Sequence, residues 1–168
     1  PIHMKHQIVI IGAGTAGITV AAQLLLKDKN LDIAIIDPAS KHYYQPAWTL
    51  VGAGTFNYKD TERNMGDLIP KGAQWIQEYV TAVNPDNNEV VLKDGTKVFY
   101  DYLVACPGVK YDYSQIEGLE ETMNKNQVCS NYVDPDYTWE VLQEFKGGNA
   151  IFTQPATPIK CGGAPIKI

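Results

Sequence analysis

The chain has 168 residues, a formal net charge of −5 at pH 7, 45% hydrophobic residues and 20% charged ones. That length is one domain or slightly more at about 100–200 residues per domain. The apolar share excludes wholesale disorder, and an acidic balance with scattered cations argues against nucleic acid as a main partner, because phosphate backbones need a clustered basic face.

Pro1-Ile2-His3, ahead of Met4, reads as the remnant of a tag, and a strand begins so soon afterwards that no room is left for a signal or transit peptide. Residues 6–11 form a nearly continuous apolar run, as in a strand buried on both faces of a parallel sheet. Gly12-Ala13-Gly14-Thr15-Ala16-Gly17 follows at once. Apolar residues at 18, 21, 22, 25 and 26 then give a helical period, and 32–37 reads as a second buried strand. A loop is expected over 38–60. Asp60 is expected to cap a helix over 61–68 that ends before Pro70.

Residues 74–83 alternate like a strand. The turn signals Asn87-Asn88 and Asp94-Gly95 set strands 89–93 and 96–100 into a β-meander. Residues 102–106 predict a further buried strand, with Cys106 in the core and Pro107-Gly108 ending it. A polar connector leads to Asn131. Asp134-Pro135 caps a helix to about Phe145, and Gly147-Gly148 stops it. The aromatic residues at 132, 137, 139 and 145 are assigned to the core. A new strand is expected over 149–153, and Ala164-Pro165 reads as the first turn of a helix cut short by the end of the chain.

This order predicts an α/β fold: a Rossmann-like, three-layer dinucleotide-binding unit with a β-meander, plus the start of a second Rossmann-like unit. The expected division is 1–3 tag, 4–110 first domain, 111–147 connector and helix, and 148–168 start of the second domain. No run reaches the ~18–20 apolar residues of a membrane-spanning helix.

Gly12, Gly14 and Gly17 form G-x-G-x-x-G after a strand and at the opening of a helix. There the first glycine permits the tight turn, the second the approach of a pyrophosphate, and the third close packing of the helix. The helix N-terminus offers N–H groups and partial positive charge. Asp37 ends the next strand, where a carboxylate can accept from a ribose diol and would repel the 2′-phosphate of NADP. The pattern alone does not distinguish FAD from NAD. Three cysteines at wide spacing do not make a disulfide framework. His3, His6 and His42 lack partners at metal-ligand spacing, so no metal is expected; His42, Tyr43 and Tyr44 read as packing.

His42-Tyr43-Tyr44-Gln45-Pro46-Ala47-Trp48, Tyr100-Asp101-Tyr102-Leu103-Val104, Ser130-Asn131-Tyr132, and above all Thr157-Pro158-Ile159-Lys160-Cys161-Gly162-Gly163-Ala164-Pro165 resemble the sulfide:quinone oxidoreductases, two-dinucleotide-domain flavoproteins, in the branch that includes the mitochondrial enzyme. The resemblance implies FAD at the first glycine turn, with Gly12, Ala13, Gly14, Thr15 and Ala16 at the pyrophosphate, Asp37 at the adenosine ribose, and Gly17 and Pro38 also in the cofactor-binding set. It further implies cofactor contacts from Gln45, Val80, Pro107 and Gly108.

It makes Cys161 one of two redox cysteines that pass electrons from sulfide to the flavin, its partner lying beyond residue 168. Cys129, 32 residues earlier, matches an auxiliary cysteine of the bacterial branch. Sulfide and a membrane quinone are the implied partners, with membrane contact through a C-terminal part outside this chain. The expected setting is bacterial, peripheral at the inner membrane, with this stretch itself soluble. After its strand the second unit carries Gln154-Pro155-Ala156 in place of a glycine turn, which argues against a nicotinamide site. Two other readings stay open: an NAD(P)H-dependent FAD oxidoreductase of the same fold, and a non-catalytic FAD-binding module.

Overall fold

The computed structural model describes residues 3–154 and 156. The contacts divide the chain into two units, one made of residues up to Tyr43 with Glu62–Lys110, the other of Tyr44–Thr61 with the residues from Tyr111 onward.

The first unit is a mixed α/β layer structure. Strand β1 (His3–Ile11) runs into helix α1 (Thr15–Lys27), and β2 (Ile33–Ile36) follows. Three further strands complete the turn-rich middle: β3 (Lys41–Tyr43), β4 (Glu62–Asn64) and β5 (Ala73–Ile76). Then come β6 (Val80–Asn84), β7 (Glu89–Leu92) and β8 (Lys97–Ala105). The main sheet has the order β5-β2-β1-β8-β7-β6. Strands β5, β2, β1 and β8 are parallel neighbours, while β8, β7 and β6 form the antiparallel meander.

The period-2 alternation of β1 sorts the core. Ile8 and Ile10 pack with Ile33, Ile35, Ala21 and Leu25, the buried stripe of α1. Val9, on the opposite side, joins Ile36 with Val90, Leu92, Val98 and Tyr100 of the meander. Covered on both faces, β2 reads as continuous Ile-Ala-Ile-Ile, every residue buried. Leu26 of α1, assigned by period to the apolar set, is 82% exposed.

Several expectations are corrected. Strand β1 begins at His3 rather than at residue 6; His3 pairs with Lys97, and the buried His6 ring meets Asp32 at 2.8 Å. The helix expected over 61–68 is instead β4 followed by a single helical turn α3 (Met65–Leu68) whose N-cap is Asn64, and Asp60 lies before it in a 3-10 turn (Tyr58–Thr61). Antiparallel pairing of Tyr43 with Glu62, backed by the 2.8 Å Lys41–Glu62 ion pair, overrides the local helical signal. The 74–83 segment breaks at Gln77–Tyr79 because its halves pair with different strands, β2 and β7. Conversely, 96–100 and 102–106 are one strand, β8, antiparallel to β7 in its first half and parallel to β1 along its length. Both meander turns fall where expected, with Asn88 at φ 50° and Gly95 at φ 85°. Cys106 lies just past β8, half-buried and outside both core clusters.

In the second unit the expected loop holds a 3-10 turn (Gln45–Ala47) and helix α2 (Trp48–Gly52). Helix α4 (Leu119–Thr122) and helix α5 (Pro135–Glu144) follow. The Trp48 indole donates to Thr61 Oγ1 at 3.2 Å. A Cβ on Gly52 would strike the buried Asn131 side chain, so a larger residue in α2 must displace that amide. Tyr111 stacks on Tyr113 and tilts against Tyr132, and burial pushes the Tyr111 and Tyr113 phenols above their ordinary value. Trp139 and Phe145, expected in the core, are 37% and 47% exposed, while Tyr132 and Tyr137 are half-buried. Residues 149–153 form no strand, since no described residue pairs with them.

The Asp134 cap holds as expected: its carboxylate accepts from Tyr137 N at 3.1 Å, and Pro135 fills the first helical position. Asp134→Ala is expected to cost about 1 kcal/mol of stability, read as a lowered urea midpoint with unchanged slope. No loss would show the cap to be idle. Among the described residues no helix is long and apolar enough to cross a membrane.

Candidate dinucleotide site

The parallel strands end along one edge of the sheet, and the chain leaves β1 toward β2 on one side while β8 lies on the other. Ligands of doubly wound sheets bind in the crevice at such a switch point. The Gly12–Gly17 turn stands there.

The three glycines have different physical reasons. Gly12 has φ +94°, and a Cβ on it would enter the carbonyl of Cys106. A Cβ on Gly17 would enter the carbonyl of Gly12 and press on Ile10. Packing alone therefore demands glycine at 12 and 17. Gly14 is unlike them: its backbone is extended at φ −68°, ψ −174°, and a Cβ there meets nothing within 4 Å. Neither conformation nor protein packing calls for glycine at 14.

Gly14 is the N-cap of α1, with no side-chain cap and no acidic residue in the first turn. The first N–H groups of the helix thus have no intrahelical partner and carry the positive end of the helix dipole. Thr15 and Ala16 are exposed beside them.

Asp37 follows β2 directly. Its Oδ2 accepts from Ala13 N and its Oδ1 from Ala39 N, both at 2.8 Å. Its carbonyl accepts from the Trp75 indole at 3.0 Å, and its N–H donates to Ile76 O at 3.1 Å. The carboxylate therefore ties the end of β2 to the glycine turn. Among the described residues each oxygen meets one donor, which leaves a second lone pair for another. Pro38 follows, half-buried, its carbonyl accepting from Gln77 at 3.3 Å. Pro107 and Gly108 succeed Cys106, whose N–H donates to Ile11 O at 2.8 Å beside the turn. Val80 opens β6, half-buried against the Val9–Ile36 cluster.

Sequence reasoning missed two residues that hold this turn. His42 is buried on β3, with Nδ1 3.4 Å from Ala13 O, and Trp75 pins Asp37 from β5. Spacing along the chain gives no signal for either, because both reach the turn through tertiary pairing. Gln45 belongs to the second unit, where it opens the 3-10 turn. So does Cys129, half-buried just past the Lys125–Val128 bridge. Cys161 lies outside the described residues. Among those described, no three His, Cys, Asp or Glu side chains gather as metal ligands.

Residues 6–140 match the pyridine nucleotide-disulphide oxidoreductase family. The chain is 49% identical over 166 residues to the mitochondrial sulfide:quinone oxidoreductase of Dictyostelium discoideum, covering 96% of this chain and 37% of that protein. It is 41% identical over 165 residues to the mitochondrial sulfide:quinone oxidoreductase of Mus musculus, covering 97% and 37%. The X-ray structure of the sulfide:quinone oxidoreductase from Aquifex aeolicus matches with a TM-score of 0.68 at 30% identity, over 86% of this chain and 32% of that one. The chain thus spans about 37% of the length of the curated relatives it matches. These mitochondrial, eukaryotic relatives overturn the expectation of a bacterial protein: identity over the whole stretch separates what single motifs do not.

Proposed function

The chain belongs to the pyridine nucleotide-disulphide oxidoreductase family, and from that premise we propose that it is the FAD-binding part of an oxidoreductase that takes electrons from sulfide through redox cysteines and delivers them to a membrane quinone. The observation that supports the FAD part of the reading is Gly14, a glycine that protein packing does not require, placed at an open cradle of helix N-terminal N–H groups; the sulfide and quinone part rests on the likeness to the sulfide:quinone oxidoreductases. A pyrophosphate approaching the backbone accounts for that glycine.

The residues fit the group. Gly14, Thr15 and Ala16 supply N–H donors to the phosphates, the free lone pairs of Asp37 accept from the adenosine ribose, and Pro38 shapes that end of the site. Val80, Pro107, Gly108 and Gln45 would add further cofactor contacts, as the likeness to the sulfide:quinone oxidoreductases implies. Bound there, FAD supplies a two-electron carrier between sulfide and quinone. Cys161 is one of a redox pair: sulfide attacks the sulfur–sulfur bridge of the oxidised pair, one cysteine keeps the added sulfur as a persulfide and the other leaves as a thiolate, with Lys160, its neighbour in the sequence, adding positive charge. The partner of Cys161 lies outside these 168 residues. Cys129 takes an auxiliary part.

Titration of the chain with FAD, followed by quenching of flavin fluorescence, is expected to show saturable binding; its absence overturns the reading of the site. In the full-length protein held anaerobically, sulfide is expected to bleach the flavin absorbance and NADH to leave it. The reverse pattern replaces sulfide with a nicotinamide donor.

A further inference from the structure

We propose that His42 is a positioning residue of the dinucleotide site: it holds the Ala13–Gly14 peptide so that the Gly14 N–H faces the phosphates. The inference rests on the reading of the glycine turn as an FAD site. Two consecutive peptide groups of that turn are gripped from the protein side. In the Gly12–Ala13 peptide, the N–H donates to Asp37 Oδ2 at 2.8 Å, and the opposite carbonyl lies against the Gly17 backbone where a Cβ would sit. In the Ala13–Gly14 peptide, the carbonyl meets the buried His42 ring, with Nδ1 at 3.4 Å.

A carbonyl can only accept, so Nδ1 is the protonated nitrogen of that contact. A trans peptide is planar and its C=O and N–H point in opposite directions. With its carbonyl drawn to a buried imidazole, this peptide directs the Gly14 N–H away from that ring, and the space where a Gly14 Cβ would stand is open. Among the described residues no acceptor meets that N–H. Asp37 and His42 thus act on neighbouring peptides, one through a donor and one through an acceptor. Together they fix both dihedrals at Ala13, which has no exposed surface. His42 is itself set by β3, whose pairing to β4 places it opposite Arg63. Without the imidazole the Ala13–Gly14 peptide can rotate, and the Gly14 N–H leaves the phosphate side for part of the time.

The test is the affinity of the chain for FAD and for ADP, by fluorescence titration and competition, in His42→Phe and His42→Asn, with thermal melts alongside. His42→Phe keeps an aromatic ring but has no donor, and is expected to weaken both ligands about tenfold, since ADP carries the same pyrophosphate. His42→Asn restores an N–H donor and is expected to recover affinity to within about threefold of the parent. If His42→Phe melts as the parent and binds FAD as tightly, the proposal is overturned. It is also overturned if His42→Asn, folded, is as weak as His42→Phe, because the ring would then act by packing alone. Failure of the parent chain to bind FAD overturns the site reading instead, so the two failures are distinguishable.

Discussion

Gly17→Ala is expected to destabilise the chain by about 3 kcal/mol or more, at the upper end of overpacking costs. One added methyl has this effect because it meets backbone. It would enter the Gly12 carbonyl oxygen while also pressing on Ile10. A flexible side chain could rotate away, but the Gly12 carbonyl cannot: Gly12 N donates to Ile36 O at 2.8 Å, and the next peptide is held by Asp37. Relief requires α1 to lift from β1, which opens the cluster of Ile8, Ile10, Ala21, Leu25, Ile33 and Ile35. Gly12→Ala meets the same difficulty against the Cys106 carbonyl and adds the strain of φ +94°. Gly95→Ala is the control, with φ +85° but open space around the Cβ; it is expected to lose only the left-handed penalty, about 1–2 kcal/mol. Urea unfolding separates them, and a Gly17→Ala midpoint equal to that of the parent would show that α1 does not pack on the turn.

The sequence is legible where a single local signal and the tertiary structure agree. The run Ile8–Ile11, the glycines and Ile33–Ile36 announce a strand, turn, helix and strand because a doubly covered sheet leaves no alternation to misread. Asp134 announces its helix because an N-cap is a contact between residues three apart. Misreadings arise where a distant strand decides. Glu62–Asn64 would suit a helical first turn, yet Lys41–Tyr43 captures it as a strand. Residues 74–83 look continuous because alternation does not reveal that two different strands claim the two halves. Near-helical spacing marked Trp139 and Phe145 as apolar positions without saying whether another surface covers them.

The same division applies to the site. G-x-G-x-x-G and Asp37 are legible because their spacing is the spacing of one strand–helix–strand unit. The double duty of Asp37 is not: a terminal carboxylate reads as a ribose acceptor, whereas the fold first uses it to clamp Ala13 and Ala39. His42 and Trp75 are invisible in the sequence because each contributes from another strand. Nor does the motif say that its glycines differ in kind, because the difference is a matter of what stands in the space above each one.

That difference gives the second large effect. Gly14→Val is expected to leave the fold intact and to weaken FAD at least 100-fold, about 2.7 kcal/mol. At φ −68°, ψ −174° a β-branched residue is unstrained, and the space beyond the Cβ is empty. Loss of glycine at the N-cap costs about 0.5–1 kcal/mol, and the less flexible unfolded chain returns a similar amount, so the melting midpoint moves little. The ligand meets the opposite situation. Phosphate oxygens must come within about 2.7–3.2 Å of N–H donors at the cap, and the two methyls of valine occupy that approach. Gly17→Ala should therefore lose stability, while Gly14→Val should lose the cofactor alone. A Gly14→Val chain that melts as the parent and binds FAD equally well would remove the pyrophosphate from this turn while leaving the fold untouched.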